Sequence, residues 1–133
     1  MIAACVVDTD VVSFALRGSP EAQLYGPHLT SRVLVLSFMT VAELDKWALQ
    51  RNWGAQRIAG MEGYLSGFTV VSTDRALCRM WARVVDSERR QGRIMGTADA
   101  WIAATALIHS IPLVTHNRKH FERVANLQVI SAS

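Results

Sequence analysis

Little in these 133 residues suits life outside a reducing compartment. Cysteine occurs twice, too rarely for a disulfide framework or a thiolate metal cage. Cys5 stands in a strand-like run and Cys78 in a helical one, and both read as buried thiols of a cytoplasmic protein. No apolar run reaches the ~20 residues of a membrane-spanning helix, so no membrane partner is expected. The opening MIAACVVDTD has no basic flank and turns acidic at once; it reads as a strand and not a signal peptide. There is no internal repeat, low-complexity tract or linker to divide the chain, so one domain over residues 1–133 is expected.

What the chain does have is apolar surface and a local excess of positive charge. Half of the residues are hydrophobic, enough for a compact domain that buries about two-thirds of its unfolded surface. The formal charge is +3, and six of the 14 basic residues fall between Arg75 and Arg93. That concentration favours a polyanionic partner weakly. From charge alone, a solvated helix face is the better account.

Short apolar runs alternate with helical patterns along the chain. AACVV (Ala3 to Val7) is a β-prone run ending at Asp8, and VVSFAL has helical spacing. GSPEAQLYGPHL places turn residues around a second short helix. VLVL (Val33 to Leu36) suits a fully buried strand. A helix is expected over Met39 to Gln50, with Gly54 marking its end, and another over Ala55 to Leu65. The strand FTVV follows, and Thr73 opens a long helix carrying the arginines. An almost wholly apolar helix over Ala98 to His109, the strand IPLVT, a helical turn in NRKHFERV and the strand LQVIS complete the chain. This alternation implies an α/β fold with a mostly parallel central sheet flanked by helices on both faces. In such sheets ligands bind beyond the carboxyl ends of the strands.

Four polar residues fall at that rim. Asp8 ends the first strand, and Glu43 lies early in the helix after the second. Asp99 lies in the first turn of the apolar helix, and Asn117 comes two residues after IPLVT. Each also has a purely structural reading. Thr40-x-x-Glu43 fits a capping box, Asp99 suits a helix N-terminus with Thr97 as its cap, Asn117 suits a turn, and Asp8 suits a helix cap. Together they weigh differently, because carboxylates ~4 Å apart repel by ~4 kcal/mol per pair at an effective dielectric of about 20. A divalent cation is the usual reason to gather them. Oxygen donors without His or Cys point to Mg²⁺, with Mn²⁺ as the other choice.

The segments DTD (Asp8 to Asp10), SFMTVAEL, TADAWIAATAL and THNRKHF resemble those of the PIN domain, in the order and context of VapC-type toxins of bacterial toxin–antitoxin pairs. The resemblance spans nearly the whole chain. It implies a PIN-like fold and a metal-dependent endoribonuclease that leaves a 5′-phosphate. By position, Asp8, Glu43 and Asp99 match the three acidic residues of the PIN site, and Asn117 falls where the family has a fourth acidic or amide residue. Asp8 and Asp99 would hold Mg²⁺, Glu43 would orient or deprotonate water, and Asn117 would support the ligands. Thr9 and Thr115 sit beside the site and suit water or phosphate. The resemblance also implies a small antitoxin partner, seated on the apolar side of VVSFAL and on the Met39–Gln50 helix, and a homodimer.

Arg93, Arg118 and Lys119 are expected to contact RNA phosphates. Arg75, Arg79 and Arg83, spaced i, i+4, i+8, share one helix face that could track an RNA backbone or could simply be solvated. His116 and His120 read as exposed turn residues, and Trp47, Trp81 and Trp101 as core. Two other functions compete. A catalytically silent PIN-like module binding RNA or protein is separated by whether RNA is cut. A phosphoacceptor receiver domain also clusters acids at strand ends, but Lys119, the only late lysine, lies in a helical turn and not at a strand end.

Overall fold

Continuous apolar runs make strands that must be covered on both faces, and the central strands here are used in that way. The computed structural model describes residues 3–133; Met1 and Ile2 of the expected opening strand lie outside them. Strands β1 (Ala4–Val7), β2 (Val33–Ser37), β3 (Thr69–Val71), β4 (Leu113–Val114) and β5 (Val129–Ile130) form one sheet in the order β3-β2-β1-β4-β5, every pair parallel. Seven helices join them: α1 (Thr9–Arg17), α2 (Ala22–Leu29), α3 (Phe38–Gln50), α4 (Ala55–Leu65), α5 (Arg75–Arg90), α6 (Thr97–Ile108) and α7 (Arg118–Phe121).

Successive strand residues point to opposite faces, which creates two cores. Cys5, Val7, Leu36 and Val114 pack with Val12 and Phe14 of α1, Tyr25 of α2, Leu44 of α3 and Met61 of α4. Val6, Val35 and Leu113 pack instead with Val84 of α5, Ala100, Ile102, Ala103 and Ala106 of α6, and Phe121 of α7. Helix α6 is apolar on nearly every side because it is enclosed between the sheet and its neighbours. Its alanines let backbones approach closely.

Several expected helix ends move, each for a local reason. Ser37 caps α3, its hydroxyl accepting the Met39 N–H at 3.1 Å. Thr40 and Glu43 therefore lie inside the helix and form no capping box. Helix α3 ends at Gln50 with Arg51 as its C-cap, and Gly54 is the N-cap of α4 rather than the stop of α3. Asp74, not Thr73, opens α5, its carboxylate accepting the Leu77 N–H at 2.8 Å. Gly96 occupies the cap of α6, where no side chain caps, so Thr97 is already helical. The apolar side of VVSFAL cannot be a docking groove, because Val11, Val12 and Phe14 are buried in the first core. Leu49 of α3 does remain exposed. Cys78, Trp47, Trp81 and Trp101 are half-buried rather than enclosed.

Candidate active site

The chain order β1, β2, β3 runs to one side of the sheet and β4, β5 to the other. The reversal leaves a crevice beyond the carboxyl ends of β1 and β4, the expected position for a ligand. Asp8 leaves β1 at this point. Its N–H donates to the Val114 carbonyl (2.9 Å), and its side chain is 4% exposed. The Thr9 N–H donates to Oδ1 at 2.7 Å, and the Thr115 hydroxyl, at the end of β4, donates to Oδ2 at 2.7 Å. Both carboxyl oxygens are thus fixed, Oδ1 by the first residue of α1, which Asp8 caps, and Oδ2 by the residue just past β4.

Thr9 ties the neighbouring helix to the same place. Its hydroxyl lies 2.8 Å from Glu43 Oε1 and 2.9 Å from Thr40 Oγ1. A hydroxyl has one proton; the Glu43 carboxyl oxygen accepts it, and Thr40 then donates to Thr9. Glu43 is thereby held beside Asp8 from α3. Asn117 is held from the opposite side. Its N–H donates to Thr115 Oγ1 (3.0 Å), and its Nδ2 donates to Asp10 Oδ2 (3.1 Å). A carboxylate only accepts, so the amide oxygen of Asn117 faces away from Asp10.

Asp10 is the residue that sequence reasoning left out of the site. An acid in the first turn of a helix is common because of the helix dipole, so its signal is weak, although it stands two residues from Asp8. It accepts N–H groups from Val11 (2.7 Å) and His116 (3.2 Å), as well as the Asn117 amide. His116 is no exposed turn residue. Its ring meets Phe14 and Tyr25 edge-on at 5.1 and 5.6 Å, with Nδ1 on the buried Tyr25 hydroxyl.

Asp99 approaches from α6, half-buried, with Oδ2 3.0 Å from Nδ1 of the exposed His120. A protein group therefore does meet this carboxylate, and it is one read from sequence as an exposed turn histidine. Among the expected phosphate contacts, Arg93 and Lys119 line a cavity together with Asp99. Arg118 turns instead to the Ser131 carbonyl, at 3.4 Å. Arg75, Arg79 and Arg83 are exposed along α5; Asp86 pairs with Arg89 and Arg90, and Glu88 with Arg93.

The electrostatics follow from this crowding. Burial, then the negative charge of Asp10 and that of Asp99, push the Asp8 carboxyl up to about 8, against the hydrogen bonds from Thr115 and Thr9. Burial also raises Asp10, opposed by the N–H groups of Val11 and His116, and it raises Asp99, opposed by His120. Three acids thus sit where their charged forms are disfavoured, a condition that a divalent cation reverses. Among the described residues no three His, Cys, Asp or Glu side chains close into a cage. The donor set fits an ion held by one or two carboxylates and completed by water, the habit of Mg²⁺.

Comparison with known proteins bears on the family and the fold. The PIN domain family matches residues 5–127. Ribonuclease VapC1 of Haemophilus influenzae (strain R2866) is 31% identical over 125 residues, covering 92% of this chain and 93% of that protein. The structure of VapBC-1 from nontypeable Haemophilus influenzae superposes with a TM-score of 0.82 at 30% identity, covering 96% of this chain and 97% of the other. VapBC-5 from Mycobacterium tuberculosis, described as a member of the VapBC family of toxin–antitoxin systems, superposes with a TM-score of 0.69 at 27% identity over 98% of this chain and 99% of the other.

Proposed function

The chain belongs to the PIN-domain family, and from that premise we propose that it cuts RNA with Mg²⁺ held by Asp8 and Asp99. It is a VapC-type endoribonuclease, the toxin of a toxin–antitoxin pair, with RNA as substrate and an antitoxin protein as partner. PIN-domain nucleases need a divalent metal. Mg²⁺ as the particular ion, with Mn²⁺ able to replace it, is our reading of an all-oxygen donor set. Action in the cytoplasm, a homodimer and a single PIN unit over residues 1–133 belong to the same proposal. No helix of the described residues is long and apolar enough to cross a membrane.

One observation carries the mechanism: the buried Asp8 carboxyl stands at the strand reversal with both oxygens held. When bound, the ion supplies Lewis acidity to the phosphodiester and to water. Thr9 and Thr115 hold both oxygens of Asp8 before the substrate arrives. Glu43, oriented through Oε1 by Thr9, takes a proton from the attacking water. Asn117 keeps Asp10 turned into the crevice. The ribose 3′ oxygen leaves, and the product carries a 5′-phosphate.

The test is cleavage of single-stranded RNA by purified protein. Mg²⁺ or Mn²⁺ should support cutting and EDTA should stop it. Asp8→Asn should lower the rate by roughly a thousandfold or more, since metal charge stabilisation contributes several kcal/mol and each tenfold is about 1.4 kcal/mol. Equal cutting in excess EDTA would sink the mechanism. No cutting under any divalent ion would leave the silent binding module.

A further inference from the structure

Beside Asp99 the surface opens into a cavity of about 640 Å³, within the range of small-ligand sites. One wall is the strap from Arg93 to Gly96 that joins α5 to α6. The other is α7 and the residues after it, with Lys119, Glu122 and Arg123. Two features of the strap bear on a ligand: Ile94 has no part in the packing, and Arg93, which neutralises the buried Glu88, is held at the cavity. Ile94 is fully exposed, the only large apolar side chain among the described residues with no cover at all. Arg93 is fixed at the cavity instead of waving in solvent. Its Nε is paired with Glu88, which is 5% exposed, and one Nη donates to Gln91 Oε1 at 2.8 Å. A guanidinium carries five N–H groups, so three remain for a ligand while the group itself is held in place.

Around this cavity Arg93, Lys119 and Arg123 face the carboxylates of Asp99 and Glu122, with Glu88 already matched by Arg93. Asp99 is shared with the catalytic crevice, so a polymer cut there must pass the cavity mouth. We propose that the cavity seats the nucleotide adjoining the scissile phosphate, Arg93, Lys119 and Arg123 meeting its phosphate and Ile94 closing on its base. This rests on the ribonuclease reading and adds where the RNA is read. An apolar cover on a base needs that base unpaired, so the substrate is single-stranded at this point. The exposed arginines of α5 contribute attraction without selection, because phosphate contacts carry no sequence information.

The experiment uses a pool of short single-stranded RNAs randomised around one cut site, digested with Mg²⁺ and sequenced, at two salt concentrations. Wild type is compared with Ile94→Ser, Arg123→Ala and Arg79→Ala. Ile94→Ser should flatten the base preference at one position beside the cut and raise KM roughly tenfold, within the range of a lost base contact. Arg123→Ala and Arg79→Ala should each weaken binding alike for all sequences and make the salt dependence shallower by about one phosphate contact. Since Ile94 supports no packing, the melting temperature of Ile94→Ser should equal that of wild type. An unchanged base preference and KM in Ile94→Ser, with wild type active, overturns the inference and leaves the ribonuclease standing. If that variant instead loses only its grip on the antitoxin, the cavity belongs to the protein partner and the inference is equally overturned. A wild-type pool left uncut by Mg²⁺ and Mn²⁺ overturns the ribonuclease reading itself.

Discussion

Asp8 and Asp99 enter one crevice from differently built walls. Asp8 is almost wholly buried, and each of its oxygens accepts a 2.7 Å hydrogen bond, one from the start of α1 and one from the residue after β4. Asp99 is half-buried and meets one group, the imidazole of an exposed histidine. The first carboxylate is part of the sheet's architecture, held rigid before any ligand arrives. The second stands beside an open cavity, where the proposed substrate would enter. Rigid support on one side and access on the other is the division expected of a site that must preorganise its ion yet admit a polymer.

The largest test of this contrast is the pH dependence of the metal-free fold. A carboxyl whose folded pKa lies above its unfolded value binds its proton more tightly when folded. Its contribution is fully present below about pH 4 and is lost as pH rises through the folded value. For Asp8 that window runs from the ordinary 3.8 to about 8. Asp10 and Asp99 shift in the same direction. Stability without metal should therefore fall by a few kcal/mol between pH 4 and pH 8. Mg²⁺ should restore most of it near pH 8, where it binds the ionised acids. In Asp8→Asn the decline should shrink to the part owed to the other two acids. Thermal melts across pH, with Mg²⁺ or EDTA, read this directly, and a flat wild-type profile in EDTA would contradict the burial account.

A second comparison strikes the supports instead of the acids. Thr115→Val keeps the shape of the side chain but removes the proton donated to Asp8 Oδ2. Partners of metal-binding carboxylates are worth about 10–100-fold in affinity or activity, and Mg²⁺ titration of cleavage should show a loss of that size. His120→Ala removes the exposed partner of Asp99, and the same titration should move only a few-fold. Equal effects from the two variants would mean that the walls are not differently built.

How far the sequence foretold this site depended on which forces act locally. The parallel sheet was legible because VLVL and AACVV are apolar at successive positions, which only two-sided burial explains. Asp8, Glu43, Asp99 and Asn117 were legible as residues just past strand ends or in the first turns of helices. The bond from Thr9 to Glu43, 34 residues apart, and that from Thr115 to Asp8, 107 apart, left no local trace. Caps failed for a related reason: Thr40-x-x-Glu43 and Ser37 both satisfy cap chemistry, and the end of β2 decides which is used. His116 was misread because a turn position says nothing of whether Tyr25 stands opposite; His120 is exposed as expected, and only its contact with Asp99 left no local trace.

The smallest expected effect separates the two readings of Asp99. It is the third residue of α6, whose Gly96 cap gives no side-chain hydrogen bond, so its charge could serve the helix dipole alone. In that case Asp99→Asn should lower metal-free stability by about 0.3–1 kcal/mol and leave cleavage intact. Burial, however, raises this carboxyl despite His120, which means the folded environment disfavours its charge. Removing the charge should therefore leave the metal-free fold as stable as wild type or slightly more so at pH 7. Cleavage should be lost, and the stabilisation gained from Mg²⁺ should shrink because a weaker ion site contributes less at the same concentration. Urea denaturation of both proteins, with and without Mg²⁺, beside one cleavage assay, decides between them. A less stable, fully active Asp99→Asn would assign Asp99 to the helix and leave Asp8 without its opposite wall.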